Sequence, residues 1–324
     1  MSAFRLLRVV CVSAAASAAI QVQANVIFIT DANETLRQVD PEDASSSFVG
    51  SIPLSAVLAI TYNPIDNSLF AIGTNKTLVR ISREDAAVTT IGTLPTFSSV
   101  KGLAYDHITN TLYTRVNRDF IHAIDPSDAS LTFVGRVPAF GFNDGLAYDP
   151  QEGSLYLVSG NKNVYAFSPE DSSLDLVGRV ATTSALSDGL TFDPLGRKLY
   201  MHNGNKFLLE IDPFNSTLQT VGVIGSFSGL NDLAFAWDQV LGDYDYNLDV
   251  DISDYDLWSE SYGSSDDLRA DGNLDGVVDA ADYTTWRDAY EQSQESSQAV
   301  PEPATIPLAM LSLTWPLMHR RMRA

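Results

Sequence analysis

The stretch Gly145-Leu-Ala-Tyr-Asp-Pro150 decides the fold, because the chain repeats it with small changes at regular intervals. Successive copies begin 43, 43, 44 and 43 residues apart, a period that indicates a repeat architecture. The first four copies end in Asn or Asp, as is typical of a short strand that runs into a turn. The five copies begin at Ala59, Gly102, Gly145, Gly189 and Asp232.

Three further strand signals follow each complete copy, so a unit of about 43 residues holds four short strands, the size of one propeller blade. The segment Val26–Gly50 has these three signals without a leading strand, and the last copy, Asp232–Trp237, lacks its three followers. Joining the two completes a fifth unit and leaves no open edge between the first and last units. We therefore predict an all-β five-bladed propeller with four-stranded blades over residues 25–240. The pattern resembles the broad superfamily of YVTN and NHL-type propellers, a likeness that implies a fold and no activity.

A second region contains two loops in which oxygen-bearing side chains recur at the same spacing. Calcium takes six to eight oxygen ligands, which a twelve-position loop supplies from alternate side chains, the backbone carbonyl at position 7 and an acid at position 12. We therefore expect two Ca²⁺ sites. Position 6 is Gly276 in the second loop but Leu248 in the first, and a non-Gly residue at positive φ costs roughly 1 kcal/mol or more, so we expect the first site to be weaker. The predicted ligands are Asp243, Asp245, Asn247, Asp249, Asp251 and Asp254 in the first loop, and Asp271, Asn273, Asp275, Val277, Asp279 and Asp282 in the second.

An apolar helical pattern follows each loop, and residues 243–295 carry 16 carboxylates against two arginines, a net charge of −14. We expect so acidic a segment to fold together with its metal. The loop–helix, linker, loop–helix order and the run Asp279–Asp288 resemble a type I dockerin of the variety common in planctomycete secreted proteins. The resemblance spans residues 241–291 and implies a small all-α module of paired EF-hand-like loops and helices that docks into a cohesin domain. Loop positions 10 and 11 would then contact the cohesin: Ile252, Ser253, Ala280 and Ala281.

Both ends of the chain have the features of export signals. Residues 1–24 combine a basic start, an apolar run and Val-Gln-Ala, which predict a secretory signal peptide that also contains the single cysteine, Cys11. Pro301-Glu302-Pro303, an apolar stretch and a basic end resemble the PEP-CTERM sorting signal over residues 300–324. That resemblance implies an exosortase-like sorting enzyme and an extracellular or cell-surface location, with a retained membrane anchor as the alternative. Residues 292–299, rich in Ser, Gln and Glu, predict a flexible linker.

Equivalent positions just before the innermost strands carry polar side chains, which we expect at one mouth of the central channel, where a ligand such as a glycan would bind. The alternative is that they cap turns. Asp144 and Asp188 are the carboxylate pair that could serve glycoside hydrolysis. The net charge of −11 over residues 25–242 argues against nucleic acid. The candidate ligand-binding residues are Lys101, Asp144, Asp188 and Asn231.

Three functional hypotheses fit these observations. The first is an exported binding or scaffold protein that docks through a calcium-dependent dockerin into a cohesin-containing assembly, with the propeller as its recognition surface. The second is a glycoside hydrolase or an accessory subunit in polysaccharide catabolism, and the third is a structural component of the extracellular matrix. The sequence contains no constellation that assigns catalysis to a particular residue.

Overall fold

The computed structural model describes residues 25–95, 99–137, 145–180, 189–203, 207–225, 229–237, 240–245, 247, 249–265, 267–273 and 275–297. The first ten strands of this part of the chain are β1 (Val26–Asp31), β2 (Thr35–Val39), β3 (Ser46–Ser51), β4 (Val57–Asn63), β5 (Ser68–Gly73), β6 (Thr77–Ser82), β7 (Val88–Thr93), β8 (Val100–Asp106), β9 (Thr111–Val116) and β10 (Phe120–Ile124). The next ten are β11 (Leu131–Arg136), β12 (Ala147–Asp149), β13 (Ser154–Val158), β14 (Asn163–Phe167), β15 (Leu174–Arg179), β16 (Thr191–Asp193), β17 (Lys198–Asn203), β18 (Phe207–Asp212), β19 (Thr217–Val223) and β20 (Leu230–Ala236). Two helices follow, α1 (Ile252–Ser261) and α2 (Ala280–Ser297).

These strands form five antiparallel, four-stranded sheets, which are the blades of a propeller. The innermost strands β4, β8, β12, β16 and β20 contact one another in a closed ring. The fifth blade comes from both ends of the β region, because β20 pairs with β1 and its order is β20-β1-β2-β3. The prediction of five four-stranded blades is confirmed, including the closure by the first and last segments.

The Asn or Asp that ends each repeated stretch closes the turn into the next strand. In four blades the backbone N–H two residues later donates to its Oδ1 at 3.0 Å. These side chains are kept in a short turn because they replace a backbone acceptor there. No hairpin follows the fifth innermost strand, and its stretch ends instead in Ala236-Trp237. We call the end of the propeller that contains Trp237 and these turns the exit face; the four turn residues are Asn63, Asp106, Asp149 and Asp193.

The core lies between the blades. Five clusters of buried apolar side chains each span two neighbouring blades. The Val-Gly or Ile-Gly that ends each unit marks a β-bulge in the outermost strand, where the next blade approaches closely. A Cβ at Gly222, for example, would lie 2.6 Å from the backbone oxygen of Asp43 in the adjacent blade.

The C-terminal helical part, residues 240–297, has a core of its own that includes Tyr244, Val278 and Trp286.

Helix α2 continues to Ser297, so much of the segment that the sequence predicted as a flexible linker is helical in the structure. Gln and Glu are good helix formers, which accounts for the extension, and the Ser293 hydroxyl donates to the carbonyl of Tyr290 at 2.8 Å within the helix. Neither described helix is both long and apolar enough to cross a membrane. The predicted signal peptide and sorting segment lie outside the described residues.

Candidate functional site

The first acidic loop brings three carboxylates together. Asp243, Asp245 and Asp254 each offer an oxygen, and these oxygens all lie within 4.8 Å of one another. Asp254 is fully buried and Asp243 nearly so. Burial raises the pKa of Asp245 and of Asp254 above the ordinary range, and the charge of Asp245 adds to the effect on Asp254. Three carboxylates at this distance repel one another unless a proton or a cation lies between them.

Asp254 is held in place by backbone donors. Its Oδ1 accepts the N–H groups of Tyr244 at 2.6 Å and Asp245 at 3.1 Å, and its Oδ2 accepts that of Asp251 at 2.7 Å. Asp251 is the N-cap of α1 and forms a reciprocal capping box with Asp254. The start of the helix therefore fixes the acid at loop position 12.

The second loop repeats the hydrogen bonds of the first at the same positions. The N–H at position 3 donates to the position-12 carboxylate at 3.1 Å in both loops, and that at position 9 at 2.7 Å. The position-5 N–H donates to the position-1 carboxylate at 3.1 Å in both. Two stretches that share these three hydrogen bonds are one structural unit used twice. The position-1 and position-12 acids are Asp243 and Asp254 in the first loop, and Asp271 and Asp282 in the second.

The remaining predicted ligands divide into two groups. At position 9, Asp251 and Asp279 each accept the backbone N–H of position 11 at 2.7 Å, at the start of the helix that follows the loop. At position 5, the Asn247 side chain accepts the N–H of Asp249 at 2.8 Å and the Asp275 side chain accepts that of Val277 at 3.1 Å. The Asn273 amide donates to Asp275 at 2.9 Å.

Gly276 has φ 92°, the left-handed conformation predicted for position 6, whereas Leu248 lies outside the described residues.

Two tryptophans tie the halves of the helical part together. Trp258 on α1 donates its indole N–H to the carbonyl of Asp279 at 2.8 Å, and Trp286 on α2 donates to the carbonyl of Asp251 at 2.8 Å. Each helix thus contacts position 9 of the other loop, which gives the part an approximate two-fold arrangement. Tyr244 departs from it, because its buried hydroxyl donates to the carbonyl of Asp282 at 2.6 Å.

The four positions predicted to contact a partner are exposed at the helix starts. Ile252 is 56% exposed. The second copy has only small side chains at the corresponding place. These residues are Ile252, Ser253, Ala280 and Ala281.

The structure places two of the four predicted channel residues. Lys101 is the second residue of β8 and Asn231 the second of β20, both half-buried. Both residues lie near the starts of their strands, at the mouth opposite the exit face. Because β4 lies between β8 and β20 in the ring, the two residues are not on adjacent blades. Asp144 and Asp188 lie outside the described residues.

A buried polar group that was not among the predicted site residues lies at that same mouth. His202 is 1% exposed, and neither ring nitrogen has a hydrogen-bond partner among the residues that the structure describes. Asp232 is 2% exposed and accepts the N–H of Ile60 on the next blade at 3.1 Å. A Cβ at Gly189 would be 3.2 Å from both His202 Nε2 and Asp232 Oδ1, so the two groups flank one point. The repeat could have indicated Asp232, since the other four copies begin with Gly or Ala at that position.

No protein-family model and no curated protein sequence matches the chain. Among solved structures it is similar to a chain of a nidogen/laminin complex, with a TM-score of 0.50 and 14% identity, covering 67% of this chain and 100% of that one. It also matches a structural-genomics protein of unknown function from Bacteroides thetaiotaomicron VPI-5482, with a TM-score of 0.41 and 18% identity over 61% of this chain and 50% of that one. The first likeness supports the propeller fold and nothing beyond it, and the second is too distant to carry an argument.

Proposed function

We propose that this is an exported binding or scaffold protein whose C-terminal helical part binds two calcium ions and attaches the propeller to a partner outside the cell. The observation that carries the proposal is the set of hydrogen bonds that the two acidic loops share, from the backbone N–H groups at positions 3, 5, 9 and 11. A solvated acidic loop has no reason to repeat these contacts, whereas a pair of cation loops does.

The donor set suits calcium. Hard divalent cations prefer carboxylate, amide and carbonyl oxygens, and the loops contain no nitrogen or sulfur ligand. Asp243, Asp245, Asn247 and Asp254 would hold the first ion, and Asp271, Asn273, Asp275 and Asp282 the second. When bound, calcium would supply the positive charge that offsets their mutual repulsion. The chain itself positions the acids, through the helix N-termini that fix Asp254 and Asp282.

The partner contact would use the exposed helix starts. Ile252 with Ser253 and the pair Ala280 and Ala281 form two small surfaces related by the approximate two-fold arrangement. Exposed small and apolar side chains of this kind would suit contact with a partner domain such as a cohesin. The dockerin resemblance, the export signals and the sorting segment are consistent with one another, since all belong to proteins assembled at a cell surface. The propeller would then be the recognition surface that this attachment displays.

A capture experiment tests the proposal. The full chain would be immobilised and exposed to the extracellular and envelope fractions of its host, in millimolar calcium and again in chelator. We expect a cohesin-like protein to be retained in calcium and released by chelator. The matched control is the double variant Asp254→Ala and Asp282→Ala, which removes both position-12 acids and should capture nothing. Capture that is the same in chelator, or by the double variant, would contradict the proposal.

A further inference from the structure

The connection between the propeller and the helical part is very short. Trp237 packs on the exit face, with its ring 5.1 Å from that of Tyr62 and 5.9 Å from that of His107. Val240, three residues later, packs in the core of the helical part. Three residues span at most about 10 Å even when fully extended. The helical part is therefore confined to the exit face, where a weak contact forms at high effective concentration.

The first loop, and not the second, lies against that face. A cleft of about 300 Å³ separates them, lined on the propeller side by His107 and Ile108 and on the helical side by residues that include Tyr244, Asp245 and Ser253. No residue from Asp271 to Asp282 lines it. The turn of the neighbouring blade makes a second contact, since the Gln151 side chain donates to the Asn247 carbonyl at 3.5 Å.

Two predicted calcium ligands of the first loop are thus also contact residues. Asp245 lines the cleft and belongs to the three-carboxylate group, and Asn247 occupies loop position 5. The first loop is also the one with Leu248 rather than Gly at position 6, for which the sequence predicts a cost of roughly 1 kcal/mol or more. External support that holds the loop in its binding shape would offset such a cost.

We propose that the exit face of the propeller is a docking surface for the first calcium loop, and that this contact sets the calcium affinity of the first site. The surface consists of the turns that contain Ile108 and Gln151. The second site binds calcium independently of the propeller. Because coupling between two binding events is reciprocal, calcium bound to the first loop also strengthens the docking of that loop on the exit face. The propeller and the helical part then become one rigid unit. This inference rests on the proposed calcium binding.

The repeat provides a matched control for the test. Ile108 is the second residue after Asp106, and Leu195 is the second residue after Asp193 in the blade two positions further along the ring. The two side chains are 39% and 41% exposed, but Leu195 does not line the cleft. Ile108→Ser and Leu195→Ser therefore make the same chemical change on and off the docking surface, without adding charge near the carboxylates.

Calcium would be titrated calorimetrically into the full chain, its two Ser variants and Gln151→Ala. We expect two affinities in the unaltered chain, with the weaker one reduced about fivefold or more in Ile108→Ser and Gln151→Ala and unchanged in Leu195→Ser. Asp275→Ala, which weakens the second site, identifies which affinity belongs to the first. A second readout is cleavage by an added protease between Trp237 and Val240, which calcium should slow in the unaltered chain and not in Ile108→Ser.

The outcomes separate the two claims. Two affinities that are the same in all of these chains, with equal protection from cleavage, would overturn the docking surface and leave the proposed function standing. Failure of the unaltered chain to bind calcium would overturn the proposed function itself, and the docking inference with it.

Discussion

The substitution His202→Leu should make the propeller less sensitive to acid. His202 is 1% exposed, and burial lowers its pKa to about 4. Two of the other blades show that an aliphatic side chain fits this position, since Ile72 and Val158 occupy the equivalent places and are equally buried. Leucine should therefore pack without a cavity and remove the imidazole from this position.

The size of the effect follows from the pKa difference. An unfolded histidine titrates near 6.5, so the folded value of about 4 leaves a difference of about 2.5 pH units. At 1.36 kcal/mol per unit this corresponds to about 3 kcal/mol of folding free energy. Because the folded state binds fewer protons, the stability of the fold does not depend on His202 titration above pH 6.5 and decreases as the pH falls from 6.5 toward 4. Below that value both states are protonated and the difference stays constant.

Urea denaturation of the full chain, followed by the β-sheet circular dichroism signal in chelator, measures this effect. The free energy of unfolding of the unaltered chain minus that of His202→Leu should fall by about 3 kcal/mol between pH 7.5 and pH 4. The control is His122→Gln, because His122 is only half-buried and should give a much smaller pH dependence. Parallel pH profiles for the unaltered chain and His202→Leu would refute the reasoning.

Three further substitutions test the packing and the second loop. Tyr244→Phe removes a buried hydrogen bond to the Asp282 carbonyl and should destabilise the helical part by about 1–2 kcal/mol in urea; an unchanged midpoint would mean that the bond is not formed. Gly276→Ala puts a Cβ at φ 92° with no steric contact, so strain of about 1 kcal/mol should weaken the second calcium affinity about fivefold; equal affinity would show that the loop does not keep this conformation. Phe235→Ala empties a site that is 2% exposed and stacked on Tyr200, and should cost about 3–5 kcal/mol of propeller stability. The two calcium affinities of Phe235→Ala should not change. Loss of calcium binding at both sites would contradict a separate core in the helical part.

The fold was predictable because each blade repeats the same local signals. The Asn or Asp at the end of four of the innermost strands closes a turn through its own side chain, a contact that needs no distant partner. The ring closure was predictable for a related reason, since the unmatched strands at the two ends are complementary. The position-6 glycine, Gly276, was predictable because φ 92° is a local requirement of the loop.

The rest depends on contacts between residues that are distant in sequence. His202 and Asp232 become neighbours only when two blades pack side by side, and each alone looks like an ordinary polar residue in a strand. The approach of the first loop to Ile108 depends on where β20 leaves the ring, which no local pattern specifies. The extension of α2 to Ser297 was missed because a composition rich in Ser and Gln fits both a linker and a helix end.

The most direct test of the account is the number of calcium ions that the full chain binds, measured by native mass spectrometry after equilibration in millimolar calcium. The account predicts two ions per chain, and one ion after Asp254→Ala, because that substitution removes a fully buried acid from the first loop only. No bound calcium, or two ions that Asp254→Ala does not alter, would contradict it.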